Sequence, residues 1–131
     1  MNELAKEILD TVEVGALATV NADRTPLVTP LHFARFGNSI IWISEPTARH
    51  SENAFRNGKA EFVVWDDKKR AVFLKTNVIE LPESEKEAAM AAYKEKLADF
   101  MPRCQNPQMY IAPIGELDEK TTTGNWLHFI A

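Results

Sequence analysis

Residues 26–57 read PLVTPLHFAR, FGN, SIIWIS and EPTARHSENAFRN, an order that leaves the backbone few options. In the first segment Leu27, Thr29, Leu31 and Phe33 fall on one face of an extended strand, with Val28, Pro30, His32 and Ala34 on the other. Gly37-Asn38 tolerates positive φ, so the chain folds back into the apolar run Ile40-Ile41-Trp42-Ile43 as the second arm of a hairpin. Pro46 and Thr47 then suit the opening of a short helix over residues 47–57, which Asn57-Gly58 ends in the left-handed manner. Ser44, Thr47 and Ser51 place hydroxyls around that helix start, and Arg49 and His50 add a guanidinium and an imidazole. Free backbone N–H groups beside a permanent cation suit a phosphate dianion, and the neighbouring strands offer a flat ring a surface. A solvated cap has the same composition.

The rest of the chain bounds what that corner can serve. Its 131 residues, 45% hydrophobic, predict one domain with a single ordinary core. A net charge of −4 supplies no broad basic field, so no nucleic-acid partner is expected. The start, MNELAKEILD, is acidic and amphipathic, and no apolar run approaches membrane-spanning length, so a soluble, cytoplasmic protein with no membrane partner is expected. Cys104 is the only cysteine, which excludes an intrachain disulfide and any redox cysteine pair. Redox work would need a bound cofactor.

Taken in order, Leu4, Ile8 and Val12 put an apolar stripe on a helix over residues 2–11. Residues 14–20 read as a small-residue strand, and room beside Gly15, Ala16 and Ala18 suits a tight barrel corner or the close approach of a backbone or ligand. Residues 59–65 and 71–80 form two arms around the charged tip Asp66-Asp67-Lys68-Lys69, the second long enough to bend across two halves of a barrel. Residues 83–100 are helical, with Ala89, Tyr93, Leu97 and Phe100 as one core stripe. A strand at residues 109–112 is confined by Pro113 to an edge or bulge, and a last strand covers residues 126–130. Six or seven short strands with three unevenly placed helices predict a mainly β fold, an antiparallel barrel with accessory helices. Small barrels fill their interiors with side chains, so a broad ring must lie in an outside groove, and a second copy closing that groove predicts a homodimer.

Other chemistries find little support. His32, His50 and His128 lie far apart without metal-ligand spacing, so no metal site is expected. No GxGxxG or Walker-type glycine loop is present. Trp42, Trp65 and Trp126 sit in strands and read first as core or interface anchors.

Residues 15–66 resemble the N-terminal half of the pyridoxamine phosphate oxidase-like FMN-binding split-barrel family. The resemblance rests on the strand Gly15 to Val20, Asp23 in its turn, Thr29-Pro30, the hairpin, and a helix with a basic residue, His50, three before Asn53. It implies a dimeric, six-stranded antiparallel split barrel with FMN in two clefts at the subunit interface. Val28-Thr29-Pro30 and Ile43-Ser44 would lie along the isoalloxazine; Ser44, Thr47, Arg49 and His50 would hold the phosphate. Trp126 would approach the ring from the C-terminal strand, from either subunit. His50 stands where the pattern usually has Lys, which implies weaker or pH-dependent FMN affinity. The chain lacks the family's longer C-terminal substrate motifs, so vitamin B6 oxidation is not expected. The function expected is a flavin-dependent oxidoreductase acting on a small molecule, with NAD(P)H as a possible electron source. The alternatives are a non-catalytic flavin or haem store and a deazaflavin-dependent reductase.

Overall fold

The structure, a computed structural model, describes residues 1–131. The first helix is α1 (Glu3–Thr11), capped by Asn2, whose side chain accepts the Ala5 N–H at 2.9 Å. Strands β1 (Val14–Val20) and β2 (Pro26–His32) form an antiparallel hairpin in which Val14 faces His32 and Val20 faces Pro26. The predicted strand through residue 34 breaks at Phe33, and β3 (Ala34–Phe36) pairs instead with β4 (Ser39–Ser44). Helix α2 (Arg49–Asn57) ends at Gly58, at φ 75°. Strands β5 (Lys59–Trp65) and β6 (Ala71–Asn77) form the charged-tip hairpin, and β7 (Ile79–Glu80) continues the second arm. After a 3-10 turn at Glu83–Glu85 come α3 (Lys86–Leu97), β8 (Gln108–Pro113), β9 (Glu116–Leu117) and β10 (Trp126–Ile130).

The expected six-stranded antiparallel barrel is replaced by two open sheets, one of six strands ordered β2-β1-β5-β6-β10-β9 and one of four ordered β3-β4-β8-β7. The larger sheet is mixed, because the chain reverses after β9 and β10 then runs parallel to β6, Leu127 beside Val72. The strand count exceeds expectation because three segments cross from one sheet to the other. The crossing residues are Phe33, Val78 and Ile114, all buried. Each donates its N–H to a carbonyl outside the ladders: Glu13 at 3.1 Å, Gly58 at 2.9 Å and Asn38 at 2.9 Å. A crossing therefore leaves no buried donor unpaired. Residues 71–80 do bend between the two sheets as their length predicts.

The space between the sheets, closed at one side by Ala5, Ile8 and Leu9 of α1, holds the main core around Trp42, Phe62 and Phe33. Phe62 stacks on Trp42 at 6.3 Å and meets Phe33 edge-on at 5.1 Å. A second core lies between the smaller sheet and α3, where Ile41, Ile43 and Ile111 meet Ala89, Tyr93 and Leu97. The smaller sheet is thus buried on both faces, which accounts for the unbroken apolar run in β4. Two expectations are corrected by packing. Phe100 leaves the α3 stripe, because the helix ends at Leu97 and Ala98 (φ 54°) turns the chain so that Phe100 stacks on His32 at 3.9 Å. Pro113 does not confine β8 to an edge: β8 lies between β4 and β7, with the proline at its last position opposite Ser39. No helix is long and apolar enough to cross a membrane.

Candidate functional site

Helix α2 begins without a side-chain cap. Its N-cap is Ala48, whose carbonyl accepts the Glu52 N–H at 3.0 Å, while the N–H groups of Arg49, His50 and Ser51 have no partner in the chain. Helix starts carry such free donors with partial positive charge, and they are normally satisfied by a cap, water or an anion. The Ser51 hydroxyl, buried in the same turn, also lacks a partner of hydrogen-bond geometry. The Tyr110 phenol is its polar neighbour; burial raises that phenol's pKa and Ser51 partly offsets the rise. Arg49 is exposed and forms no ion pair. Thr47 lies in the turn before the helix rather than in it, since Ala48 N–H bonds to Glu45 O and helical geometry starts two residues later than the sequence suggests.

Ser44 and His50 are brought together: Ser44 Oγ and His50 Nε2 are 2.9 Å apart, tying the end of β4 to the first turn of α2. Burial lowers the His50 pKa from its ordinary 6.5, so the imidazole is neutral at pH 7. The corner therefore offers one permanent cation and a set of neutral donors.

The strand residues are divided between faces. Val28 and Pro30 point to the outer face of the larger sheet, opposite Ala18 and Ala16, whereas Thr29 shares the inner face with buried Leu17. Ile43 does not present its side chain to the corner; it is buried against α3. What β4 does offer is backbone. Strand β3 pairs with it only through Ile41, so from Trp42 to Ser44 the edge on that side has no partner strand. Such an edge suits hydrogen bonding to a flat heterocycle.

Trp126 lies elsewhere. Four strand steps separate β10 from β2, on the order of 19 Å. Half exposed, Trp126 lines a cleft of about 520 Å³ on the outer face with Val63, Trp65, Phe73 and Arg70. That face is broadly apolar: Val28 is 64% exposed, Trp65 57% and Trp126 52%, with Val14, Val20 and Ile130 also open. The cleft that Trp126 lines thus includes none of the α2 corner residues.

Three residues at the corner escape sequence reasoning. The Glu45 carboxylate accepts the backbone N–H groups of Gln105 and Asn106, at 2.8 and 3.2 Å, which fastens the loop after α3 beside Ser44. Thr19 and Asn21 accept from the buried amide of Asn53, at 3.2 and 2.8 Å, which fastens α2 to the first hairpin. Nothing in the local sequence announces these pairings, because their partners lie 32 to 61 residues apart. No group of three or more His, Cys, Asp or Glu side chains is placed to hold a metal ion.

Comparison with known proteins adds the following. The family model described as pyridoxamine 5'-phosphate oxidase matches residues 1–113. Among solved structures, a heme-binding protein from Mycobacterium smegmatis superposes with TM-score 0.72 at 19% identity, over 86% of this chain and 50% of that one. The chain thus spans half the length of that protein. An FAD-binding protein from Mesorhizobium loti gives TM-score 0.69 at 20% identity over 87% and 88% of the two chains. The heme storage protein HutZ from Vibrio cholerae gives 0.68 at 15% identity over 86% and 88%. At these identities the likeness concerns the fold. No curated protein sequence matches significantly.

Proposed function

The chain belongs to the pyridoxamine 5'-phosphate oxidase family, and from that premise we propose that it is an FMN-binding oxidoreductase acting on a small molecule, assembled as a homodimer. The observation that carries the reading is the start of α2. Three unpaired N–H groups and the exposed Arg49, which forms no ion pair, stand at one helix start, beside an unpartnered stretch of β4 edge. Ser44, Thr47, Arg49 and His50 would hold the phosphate. The pyrimidine edge of the ring would take backbone hydrogen bonds from Ile43-Ser44 and rest near Val28, Thr29 and Pro30.

The homodimer has its own support. An apolar sheet face carrying several large exposed side chains is characteristic of an interaction surface. Because the cleft that Trp126 lines includes none of its own chain's corner residues, its role in this reading is toward the partner's ring. A bound flavin supplies the hydride or electron transfer; the chain supplies orientation and a dry wall. Reduced pyridine nucleotide is the electron donor proposed.

Titration of the purified protein with FMN and with riboflavin tests this. Quenching of flavin fluorescence with a clear preference for the phosphorylated form supports it, and failure to take up FMN removes it. A second reading, haem binding, draws on His128, a half-buried imidazole stacked on Phe73 at 4.3 Å, and on the haem proteins of similar fold. Uptake of hemin with a Soret band that His128→Ala abolishes would favour it over flavin.

A further inference from the structure

We infer that the cleft on the outer sheet face is a binding site for a small planar aromatic carboxylate, held between the indoles of Trp65 and Trp126. The register of the larger sheet builds it. Ala71 is paired with Trp65 across β5 and β6 and with Trp126 across β6 and β10, so the three residues form one row on the outer face. The two tryptophans stand two strand steps apart, roughly 9.6 Å, with only a methyl side chain between them. A ring inserted at van der Waals distance from both walls needs about 7–8 Å, which that spacing provides.

Ala71 is 4% exposed, whereas Trp65 and Trp126 keep 57% and 52%, so the alanine lies at the floor of a slot and the indoles at its sides. The next row, Val63, Phe73 and His128, extends the floor inward. The Phe73 ring lies 5.7 Å from Trp126 and stacks on His128 at 4.3 Å, so that floor is itself aromatic. At about 520 Å³ the cleft has the size of a small-molecule site.

Charge at the rim selects the ligand. Arg70 Nε lies 2.7 Å from the Asp66 carboxylate and its Nη1 lies 2.9 Å from Glu7, so the guanidinium is already engaged. Lys69, exposed in the hairpin turn after Trp65, lines the same cleft and forms no ion pair. An indole face attracts cations as well, but a cationic ligand here meets the like charge of Lys69. A flat ring bearing one carboxylate satisfies both the walls and the rim. The site shares no residue with the α2 corner, so its binding of such a ligand is independent of the flavin reading. The ligand's role as substrate rests on that reading, in which Trp126 turns toward the partner's ring.

The test is equilibrium dialysis of the full-length protein against 2-naphthoate, the neutral 2-naphthalenemethanol and the non-planar decahydro-2-naphthoate. The naphthoate is expected to bind about fivefold tighter than the alcohol, the upper end for a solvent-exposed ion pair, and about tenfold tighter than the decahydro compound, which cannot stack. Ala71→Leu fills the slot and should weaken naphthoate binding tenfold or more. Lys69→Gln, at an exposed turn, should erase the preference for the anion and leave the alcohol unchanged. Naphthoate binding that survives Ala71→Leu, a preference that survives Lys69→Gln, equal binding of the decahydro compound, or no uptake at millimolar concentration overturns the inference. The expected pattern in a protein that takes up no FMN keeps the site and overturns the substrate role together with the flavin reading.

Discussion

Ser44 Oγ and His50 Nε2 stand 2.9 Å apart, so the end of a strand and the start of a helix share one hydrogen bond whose direction depends on a proton. Burial lowers the His50 pKa from 6.5, which means that the folded chain takes up fewer protons there than the unfolded chain. Stability contributed by the neutral imidazole is complete above pH 6.5 and is lost as pH falls toward the folded pKa. A phosphate beside the ring reverses the preference. FMN affinity is therefore expected to rise as pH is lowered from about 8 to 5.5 at constant ionic strength, until the ester itself protonates near pH ~6. His50→Lys should bind about tenfold tighter at pH 8 and respond less to pH. Isothermal titration at several pH values decides this, and a flat wild-type profile excludes His50 from the phosphate contacts.

Arg49 carries the permanent charge at that corner and is spent on no ion pair. Arg49→Ala should weaken FMN binding by ~1.5–3 kcal/mol, the range for a hydrogen bond to a charged group, with unfolding unaffected. Equal affinity in the variant would take the guanidinium out of the site.

How far the corner could be read from sequence follows from distance along the chain. Ser44, Thr47, Arg49 and His50 fall within seven residues, so the hairpin and helix signals alone place them together. The face that the Ile43 side chain covers is not legible there, because a buried strand in a two-faced sheet looks the same from either side; only α3, more than 40 residues later, decides it. The sheet crossing at Phe33 was invisible for a related reason, and at Val78 only the length of the segment hinted at it. Alternation continues through them, and the break lies in which strands pair, not in the local pattern. Residues 71–80 signalled their crossing by length alone, whereas residues 26–34 gave no such sign.

Gly15 illustrates the same limit. Its strand suggested a barrel corner or a ligand's approach, but the neighbour is the Phe62 ring, which occupies the space a Cβ would need. Phe62 is 1% exposed and wedged between Trp42 and Phe33, so it has little freedom to yield. Gly15→Ala should destabilise the fold by ~1–3 kcal/mol, the usual range for an overpacked core. Chemical denaturation measures it; a neutral substitution would mean that the ring shifts freely.

Lys96 reaches under α1, where Nζ donates to Leu9 O at 2.8 Å and lies 3.6 Å from the centre of the Phe33 ring. Burial lowers its pKa to about 8, against the upward pull of Asp10 and Glu13. Since the folded chain releases this proton before the unfolded chain does, the group's contribution to stability grows as pH rises from about 8 toward 10.5 and is absent below that window. Relative to Lys96→Met, the wild type should gain stability over that interval, seen as a diverging pair of urea midpoints. Parallel midpoints would show that the amine is effectively solvated.

Val28 is the most open of the large apolar residues on the outer sheet face. If a second copy covers that face, Val28→Asp buries a lone carboxylate and weakens self-association about a hundredfold or more, the ~3 kcal/mol or greater penalty of an unpaired buried charge. Sedimentation velocity on wild type and variant measures it. A wild-type monomer at micromolar concentration would leave the exposed tryptophans to another partner.

Phe33, Val78 and Ile114 together sew the two sheets along three separate seams, each closed by an amide that has nowhere else to bond. Neither half can melt while the other stays whole. Heat or urea should take the molecule apart in one step, and helix α2 should lose its hydrogen-exchange protection at the same moment as the strands beneath it.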